Sequence, residues 1–345
     1  MRCLIAGDQH HHNWSAFSSV DPATGLNTRL LDQLRTLEQI AKVRDQYDCA
    51  QTFWLGDWWH SRSKLDADLV SVVTQKVYDL WAGHETTWIC GNHDLVGAGD
   101  DATRNSLSML SPLGRIISTP TRLELPGGAG CHAYPFRRNP ELLKHEFARA
   151  TKDWGVPDLL LLHQGIDEAL VGAYNVSIKA SLSVRDLPPA RFTAAGHYHR
   201  PQTVSDQPTV VYAGSIMQTD MSDRLDGPRS VIILDTDTWD FTRVPLDGPQ
   251  FHLYPDLASA KSGKHRECDF VRIQCRKAEV EEARALLPTA QVELVRELVQ
   301  ERRVIPAGAG ESDKALLESY IAERKPELDH ERLLKLGLEL LDGSA

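Results

Sequence analysis

Residues 1–10 read MRCLIAGDQH, and this stretch sets the pattern on which the fold depends. Residues 2–6, which are apolar after Arg2, predict a buried β-strand, and polar residues follow almost at once. Alternate residues of an extended segment point to the same side, so Asp8 and His10 could bind one metal ion together. The start of the chain therefore predicts a strand that ends in part of a metal site.

Four later loops repeat this pattern, in which an apolar, strand-like run leads directly into His, Asp or Asn. These loops are GDWWH at 56–60, GNHD at 91–94, HQ at 163–164 and GHYH at 196–199. In open α/β sheets, ligands gather at the carboxyl ends of the strands. Each motif alone is weak evidence, but five in succession, each after an apolar run, indicate one shared site.

The chain has 345 residues, of which 41% are apolar and 25% charged, as in ordinary globular proteins. Acidic residues outnumber basic ones by 48 to 38. That balance excludes a basic coat for nucleic acid over the whole surface, but not a local basic groove. The apolar runs are too short for a membrane span or a signal peptide, and six cysteines form no CxxC pair. We therefore expect a cytoplasmic protein with reduced thiols and no membrane contact.

Short apolar runs alternate with helical periodicity up to about residue 250. Helices are predicted at 28–46 and 66–82, and a β-hairpin at 230–235 and 240–245. This alternation predicts a layered α/β core, and the late strands predict a second sheet. Composition changes at 249–263, where we place a domain boundary. The predicted units are a main domain at 1–250, an α/β cap at 251–310 and a helix pair at 311–345.

Taken together, the five motifs resemble those of the calcineurin-like metallophosphoesterases, over residues 1 to about 245. Within that superfamily, the chain is most similar to the SbcD-type DNA repair nucleases. The similarity lies in the pair HQ at 163–164, the turn YAGS at 212–215, and a C-terminal cap followed by helices. The resemblance implies a four-layer fold, in which a two-sheet β-sandwich is flanked by helices. It also implies a Mn²⁺-dependent exo- or endonuclease that acts with an SbcC-type ATPase in DNA repair or recombination.

By the same resemblance, two divalent metal ions would share this site. One ion would be bound by Asp8, His10 and His199, the other by Asn92, His163 and His197, with Asp57 bridging both. His93 would serve the leaving oxygen as a general acid or charge stabiliser, and His60 would orient His93 or contact the phosphate. Independently, oxygen and imidazole ligands without a thiolate suit Mn²⁺, Fe²⁺ or Zn²⁺. Two such ions about 3.5–4 Å apart can promote in-line displacement at phosphorus.

Two other functions are compatible with the same motifs. A metal site does not set substrate size, so a small-molecule phosphatase or cyclic-nucleotide phosphodiesterase is the main alternative. A non-catalytic scaffold would require missing ligands, and none is missing from the motifs. The cap favours a polynucleotide, because an enzyme for small molecules has less use for an added domain beside its cleft.

Several side chains near the motifs could serve either a functional or a structural role. Trp14, Trp58 and Trp59 could stack on bases or pack under the loops. A phosphate track or a solvated surface could be formed by Arg62, Lys64, Arg137, Arg138, Arg200 and Arg224. His11 and His12 are predicted to face solvent or line the cleft. The leucine-rich helices at 313–324 and 330–341 could pair with each other or bind the ATPase, and a homodimer is also compatible with the sequence.

Overall fold

The structure, a computed structural model, describes residues 1–62, 64–97, 99, 102–125, 127–172, 176–177, 179, 182–295, 313–324 and 329–341. The end of the predicted cap at 296–310 lies outside these residues. The chain divides into two compact units, Met1–Cys275 with Glu279–Glu293, and Arg276–Ala278 with Leu294–Ala345. The predicted division into three domains stays a prediction.

The strands and helices of the described residues are numbered here in chain order. The strands are β1 (Arg2–Ala6), β2 (Cys49–Trp54), β3 (Thr86–Ile89), β4 (Arg115–Ile117), β5 (Thr121–Glu124), β6 (Gly130–Tyr134), β7 (Leu159–His163), β8 (Leu170–Val171), β9 (Val176–Ser177), β10 (Phe192–Gly196), β11 (Gln202–Asp206), β12 (Thr209–Tyr212), β13 (Ser230–Asp235), β14 (Phe241–Pro245), β15 (Phe251–Tyr254), β16 (Phe270–Cys275) and β17 (Gln291–Leu294). The helices are α1 (Thr28–Gln46), α2 (Ala67–Trp81), α3 (Pro140–Trp154), α4 (Leu257–Ser262), α5 (Val280–Leu286), α6 (Asp313–Arg324) and α7 (His330–Leu341).

Two mixed sheets of six described strands each form the centre of the first unit. Their strand orders are β14-β13-β1-β2-β3-β4 and β11-β12-β10-β7-β6-β5. Strands β1 to β4 run parallel, as do β6, β7, β10 and β12, and antiparallel strands lie toward the edges. Parallel strands bring their carboxyl ends to one edge of a sheet, so the loops that follow them converge there.

Alternation along the strands creates the layers, because successive side chains point to opposite faces of a sheet. Leu159 and Leu161 of β7 lie in the apolar layer between the two sheets. Leu160 and Leu162 belong instead to the cluster on the outer face, with Leu143 of α3. On the other sheet, β1 sends one face toward the apolar sides of α1 and α2. The layers run helix, sheet, sheet, helix, which confirms the predicted two-sheet α/β fold.

Strands β4, β5 and β6 and helix α3 lie between the third and fourth motifs, where no element is predicted from the sequence. The start signal of α3 is present in the sequence. Asn139 accepts a hydrogen bond from the Glu141 N–H at 3.0 Å, and Pro140 occupies the first helical turn. Strands β4 and β5 have three and four residues, too few for their alternation to stand out.

A smaller sheet, β15-β16-β17, follows the two large ones and is covered by α4 and α5. Its core consists of Leu257, Val271, Ile273, Cys275 and Ala283. This sheet matters for the site because Phe251 and Phe270, the first residues of β15 and β16, lie against the aromatic ring of Phe17 in the loop that follows the first motif.

The second unit contains α6 and α7, which pack against each other. Gly337 allows the close approach, because a Cβ there would lie 3.2 Å from Leu317 Cδ1. Leu336 and Leu340 of α7 are 52% and 63% exposed. None of the described helices is long and apolar enough to cross a membrane.

Candidate metal centre

The loops after β1, β2, β3, β7 and β10 meet at one edge of the two sheets. They bring together all seven predicted ligands and the two predicted catalytic histidines. Asp8, Asp57 and His163 are at most 2% exposed, and His10 is 3% exposed. Buried carboxylates and imidazoles need a partner of opposite charge or a hydrogen bond, which makes the contacts within this cluster informative.

Asp8, His10 and His199 form the first group of ligand atoms, with one atom of each within 4.8 Å of the others. The Nε2 atoms of His10 and His199 face each other at 3.0 Å. Nδ1 of His199 faces the Asp223 carboxylate at 3.4 Å, which favours the proton on Nδ1 and a lone pair on Nε2. Such converging lone pairs fit a divalent cation between them.

Asn92, His163 and His197 form the second group. The Asn92 Oδ1 atom lies 3.1 Å from His163 Nε2 and 2.8 Å from His197 Nδ1. His163 donates its Nδ1 proton to the Leu55 carbonyl at 2.6 Å, so its Nε2 lone pair points into the group. These donors match the ligand types that Mn²⁺, Fe²⁺ and Zn²⁺ accept.

Asp57 faces both groups at once. One carboxylate oxygen lies 3.4 Å from His163 Nε2 in the second group, and the other lies 3.6 Å from His10 Nε2 in the first. A carboxylate in this position can bridge two ions. The structure thus places the seven predicted ligands as two sets that share one residue.

Four of these residues adopt a backbone conformation that side chains rarely tolerate. The φ angles are 50° at Asp8, 49° at His10, 52° at Asp57 and 103° at His197. Non-glycine residues at positive φ persist where the surroundings enforce them, and they cluster at functional sites. The enforcing contacts include a hydrogen bond from the His197 N–H to Asp8 Oδ1 at 2.9 Å.

Glycines in the motifs provide the space for this packing. A Cβ at Gly91 would lie 2.2 Å from Asp57 Oδ1, and one at Gly56 would lie 2.3 Å from His163 Nδ1. Gly56 also has a φ of 98°, which favours glycine. The motif glycines therefore let the Asp57 and His163 side chains approach the neighbouring backbone.

His93 lies beside the two groups. Its backbone N–H donates to Asp57 Oδ1 at 2.8 Å, and its Nε2 lies 4.0 Å from Asp57 Oδ2. Its Nδ1 contacts the backbone carbonyl of His60. His60 thus orients His93 through its main chain, while the two rings lie 5.6 Å apart.

Asp94 connects the second and third motifs. Its carboxylate accepts hydrogen bonds from the backbone N–H groups of Trp58 at 3.0 Å and Gly91 at 2.9 Å. Burial, followed by repulsion from Asp57, raises the pKa of Asp94 to about 7. Asp94 therefore fixes the geometry of the loops that carry the second and third motifs.

The residues that hold His199 could not be predicted from the sequence. Thr219 Oγ1 lies 3.3 Å from His199 Nδ1, and Asp223 accepts from the Thr219 N–H and hydroxyl, both at 2.8 Å. Arg229 donates a hydrogen bond to the His199 carbonyl, and its guanidinium lies 3.3 Å from the Asp223 carboxylate. These residues follow the fifth motif by 20 to 30 positions and form no recognisable spacing, so the sequence carries no signal for them.

The structure selects one of the two interpretations of Trp58 and Trp59, and it corrects the predictions for His11 and Arg137. Trp58 and Trp59 are 1% and 0% exposed, so they pack under the loops and cannot stack on bases. His11 is fully buried against Trp58, with Nδ1 3.3 Å from Gln33 Oε1, and does not face solvent. Arg137 is buried in an ion pair with Glu146 at 3.0 Å, which removes it from any phosphate track.

The charges at the site depend strongly on burial. Burial raises the pKa of Asp8 to about 6 and lowers that of His197 to about 3. Burial also opposes protonation of His163, but the Asp57 carboxylate outweighs it and raises the pKa of His163 to about 9. The pKa of His199 likewise rises to about 9, because Asp223 outweighs burial. Without a cation, the cluster thus balances its carboxylates by protonating two imidazoles.

A cavity of about 420 Å³ opens beside the second group. Its lining includes Asn92 and His197, the partly exposed Phe136, and Arg62 and Arg138. Phe136 stacks on His197 with ring centres 5.7 Å apart. Predicted ligands, an aromatic residue and two arginines therefore line one opening.

No protein-family model matches the sequence, and no curated protein sequence matches it. Among solved structures, the chain is similar to an archaeal phosphodiesterase, with 11% identity and a TM-score of 0.37 over 71% of this chain and 100% of the other. It is also similar to a dimetal phosphatase from Danio rerio, with 9% identity and a TM-score of 0.44 over 68% of this chain and 91% of the other. A third similar structure is Yfce, a phosphoesterase from E. coli, with 14% identity and a TM-score of 0.34 over 72% of this chain and 100% of the other. At these identities and TM-scores, the likenesses assign neither family nor activity.

Proposed function

We propose that this chain is a metal-dependent phosphodiesterase of the two-metal type, and that its substrate is DNA, as in the SbcD-type nucleases. One observation carries the proposal: a single buried carboxylate, Asp57, faces two separate sets of ligand atoms at 3.4 and 3.6 Å. When bound, two divalent ions would neutralise phosphate charge and activate water for in-line attack at phosphorus. The remaining steps fall to side chains of this chain.

His93 is the residue best placed to assist the leaving group. Its Nδ1 contacts the His60 carbonyl, so a proton given to the substrate must come from Nε2, which lies on the Asp57 side. As water oxygen bonds to phosphorus, the bond to the leaving oxygen breaks and that oxygen takes the Nε2 proton. His60 would hold the imidazole in this orientation through its carbonyl.

Three features support a nucleic-acid substrate over a free phosphate ester. The cavity beside Asn92 and His197 presents the ring of Phe136, on which a base can stack. Arg62 and Arg138 line the same cavity and attract phosphates. The partly exposed Trp14, 4.2 Å from the His60 ring, offers a second aromatic surface near the site.

We also propose an SbcC-type ATPase as partner and the cytoplasm as location. The partner surface would be the side of α7 that carries Leu336 and Leu340, since exposed leucines at helical spacing are typical of helix-in-groove binding. All six cysteines are free, which suits a reducing compartment.

The test is hydrolysis by the purified chain of linear DNA, a nitrophenyl phosphodiester and a nitrophenyl monoester. We expect a chelator to abolish activity and Mn²⁺ to restore it better than Mg²⁺, because imidazole-rich sites favour the softer ion. Turnover of the monoester alone would replace the nuclease with a small-molecule phosphatase. Metal-free activity on all three substrates would contradict the two-metal proposal.

A further inference from the structure

Arg29 is a buried cation, 2% exposed, on the second residue of α1. Among the described residues, no carboxylate forms an ion pair with it. Asp32 pairs with Arg35 at 2.9 Å instead, and Asp220 accepts from the backbone and hydroxyl of Ser222. A charge in the interior without a direct ion-pair partner is costly, so the contacts that Arg29 does make require an explanation.

Three aromatic rings surround the guanidinium. Its central carbon lies 4.8 Å from the ring centre of Trp14, 5.4 Å from Phe251 and 4.7 Å from Phe270. Cations are attracted to aromatic faces at such distances, most strongly when water is excluded. Phe251 begins β15 and Phe270 begins β16, so the small sheet supplies two of the three rings.

Two nitrogens of Arg29 donate hydrogen bonds to backbone carbonyls, and one of these carbonyls belongs to Thr219, which lies beside His199. One nitrogen donates to the Thr219 carbonyl at 2.8 Å, and another to the Ala16 carbonyl at 3.3 Å. The Thr219 hydroxyl lies 3.3 Å from His199 Nδ1 and donates to Asp223, which also faces His199. A continuous series of contacts therefore runs from the small sheet through Arg29 and Thr219 to His199.

We propose that Arg29 is a positioning residue for the first ion site, the one formed by Asp8, His10 and His199. It fixes the Thr219 segment against the small sheet, and that segment sets the orientation of the His199 ring. The second site does not share this series of contacts, because His163 is oriented by the Leu55 carbonyl. The small sheet thereby determines metal affinity at one site of the pair. This inference rests on the metal binding proposed above.

The test is a titration of the full chain with Mn²⁺, in which calorimetry measures the affinity of each site and electron paramagnetic resonance detects the bound ion. In Arg29→Met, one of two sites should weaken by roughly 10–100-fold, the usual effect of losing a group that orients a ligand. Arg29→Lys keeps the cation among the rings but reaches fewer carbonyls, so it should weaken the same site less. Excess Mn²⁺ should restore hydrolysis in both variants.

Arg44 provides the matched control. It is a buried arginine on the same helix, lies 5.3 Å from the Trp81 ring centre and donates to the Leu80 carbonyl at 2.7 Å. Within the described part of the chain, it makes no contact with the metal centre, so Arg44→Met should lower thermal stability and leave both Mn²⁺ affinities unchanged. If Arg29→Met does not fold, Thr219→Val tests the same series of contacts, because it removes the hydroxyl beside His199.

Ligand variants identify which site responds. The variant His199→Ala already lacks the first site, so adding Arg29→Met to it should leave its remaining Mn²⁺ affinity unchanged. Added to His163→Ala, it should weaken the ion that remains. Equal weakening of both sites, or wild-type affinity at both, would overturn the role of Arg29. A wild-type chain that binds no Mn²⁺ would instead overturn the proposed function itself.

Discussion

His93 and Asp57 lie side by side, but we propose different tasks for them, and substitution should separate these tasks. Asp57 faces ligand atoms of both sets, whereas His93 contacts Asp57 through its backbone N–H at 2.8 Å. Replacing the His93 side chain by alanine leaves that backbone bond in place. His93→Ala should therefore retain both metal ions, whereas Asp57→Asn should lose them.

The expected rates follow from the same geometry. A positioned acid or base contributes about 10²–10⁴-fold to a rate. At 1.36 kcal/mol for each factor of ten, that corresponds to about 2.7–5.4 kcal/mol of transition-state stabilisation. His93→Ala should fall within that range with its metal content intact. Asp57→Asn keeps the side-chain shape but removes the bridging charge, so metal content and rate should fall together.

The assay is metal analysis of each purified variant beside DNA cleavage at saturating Mn²⁺. His145→Ala serves as the control, since this exposed histidine lies on α3 and does not reach the site. If His93→Ala loses metal as completely as Asp57→Asn, His93 is a ligand and the assignment of roles is wrong. If His93→Ala keeps full metal and a near-normal rate, the leaving group takes its proton elsewhere, and His60 becomes the next candidate.

Three further predictions use other features of the molecule. Gly91→Ala places a Cβ 2.2 Å from the bridging carboxylate and should reduce Mn²⁺ affinity in calorimetry by roughly 10–100-fold, whereas Gly130→Ala, with open space at its Cβ, should not. The pKa values of about 9 at His163 and His199 keep both imidazoles protonated at neutral pH without metal, so Mn²⁺ binding should release protons and weaken as pH falls. Calorimetry in buffers of different ionisation enthalpy measures the number of protons released. Binding without proton release would contradict this prediction. Leu336→Glu, on the exposed side of α7, should abolish co-purification with an SbcC-type ATPase without changing cleavage of a small diester; retained binding would exclude this surface.

Local pattern was enough to predict most of the large sheets and all the motif residues that meet at their edge. The predicted helix at 28–46 coincides with α1, and the predicted strand at 2–6 coincides with β1. Both carry a periodicity that neighbouring residues alone determine. Because a ligand that directly follows a strand takes its direction from that strand, Asp8 and His163 could be placed at one edge before any tertiary contact was known.

Contacts between segments distant in the sequence could not be predicted in this way. The burial of Trp58 and Trp59 depends on α2 and β3 packing over them, and the ion pair of Arg137 depends on a helix that the sequence analysis did not assign. The identity of such a residue is the same whether its side chain faces solvent or the core. Only the assembled layers decide between the two environments.

At the metal centre, too, local sequence predicts some features and long-range contacts decide others. The sequence by itself determined which side chains can bind cations, because imidazole, carboxylate and amide chemistry belongs to the residues and their spacing places them after strands. The tertiary structure alone decided how these side chains are held: Asp223 and Thr219 orient His199 across 20 to 24 residues, and Arg29 reaches Thr219 across 190. Orientation depends on hydrogen bonds between segments that have no fixed spacing in the chain, so no local pattern records it.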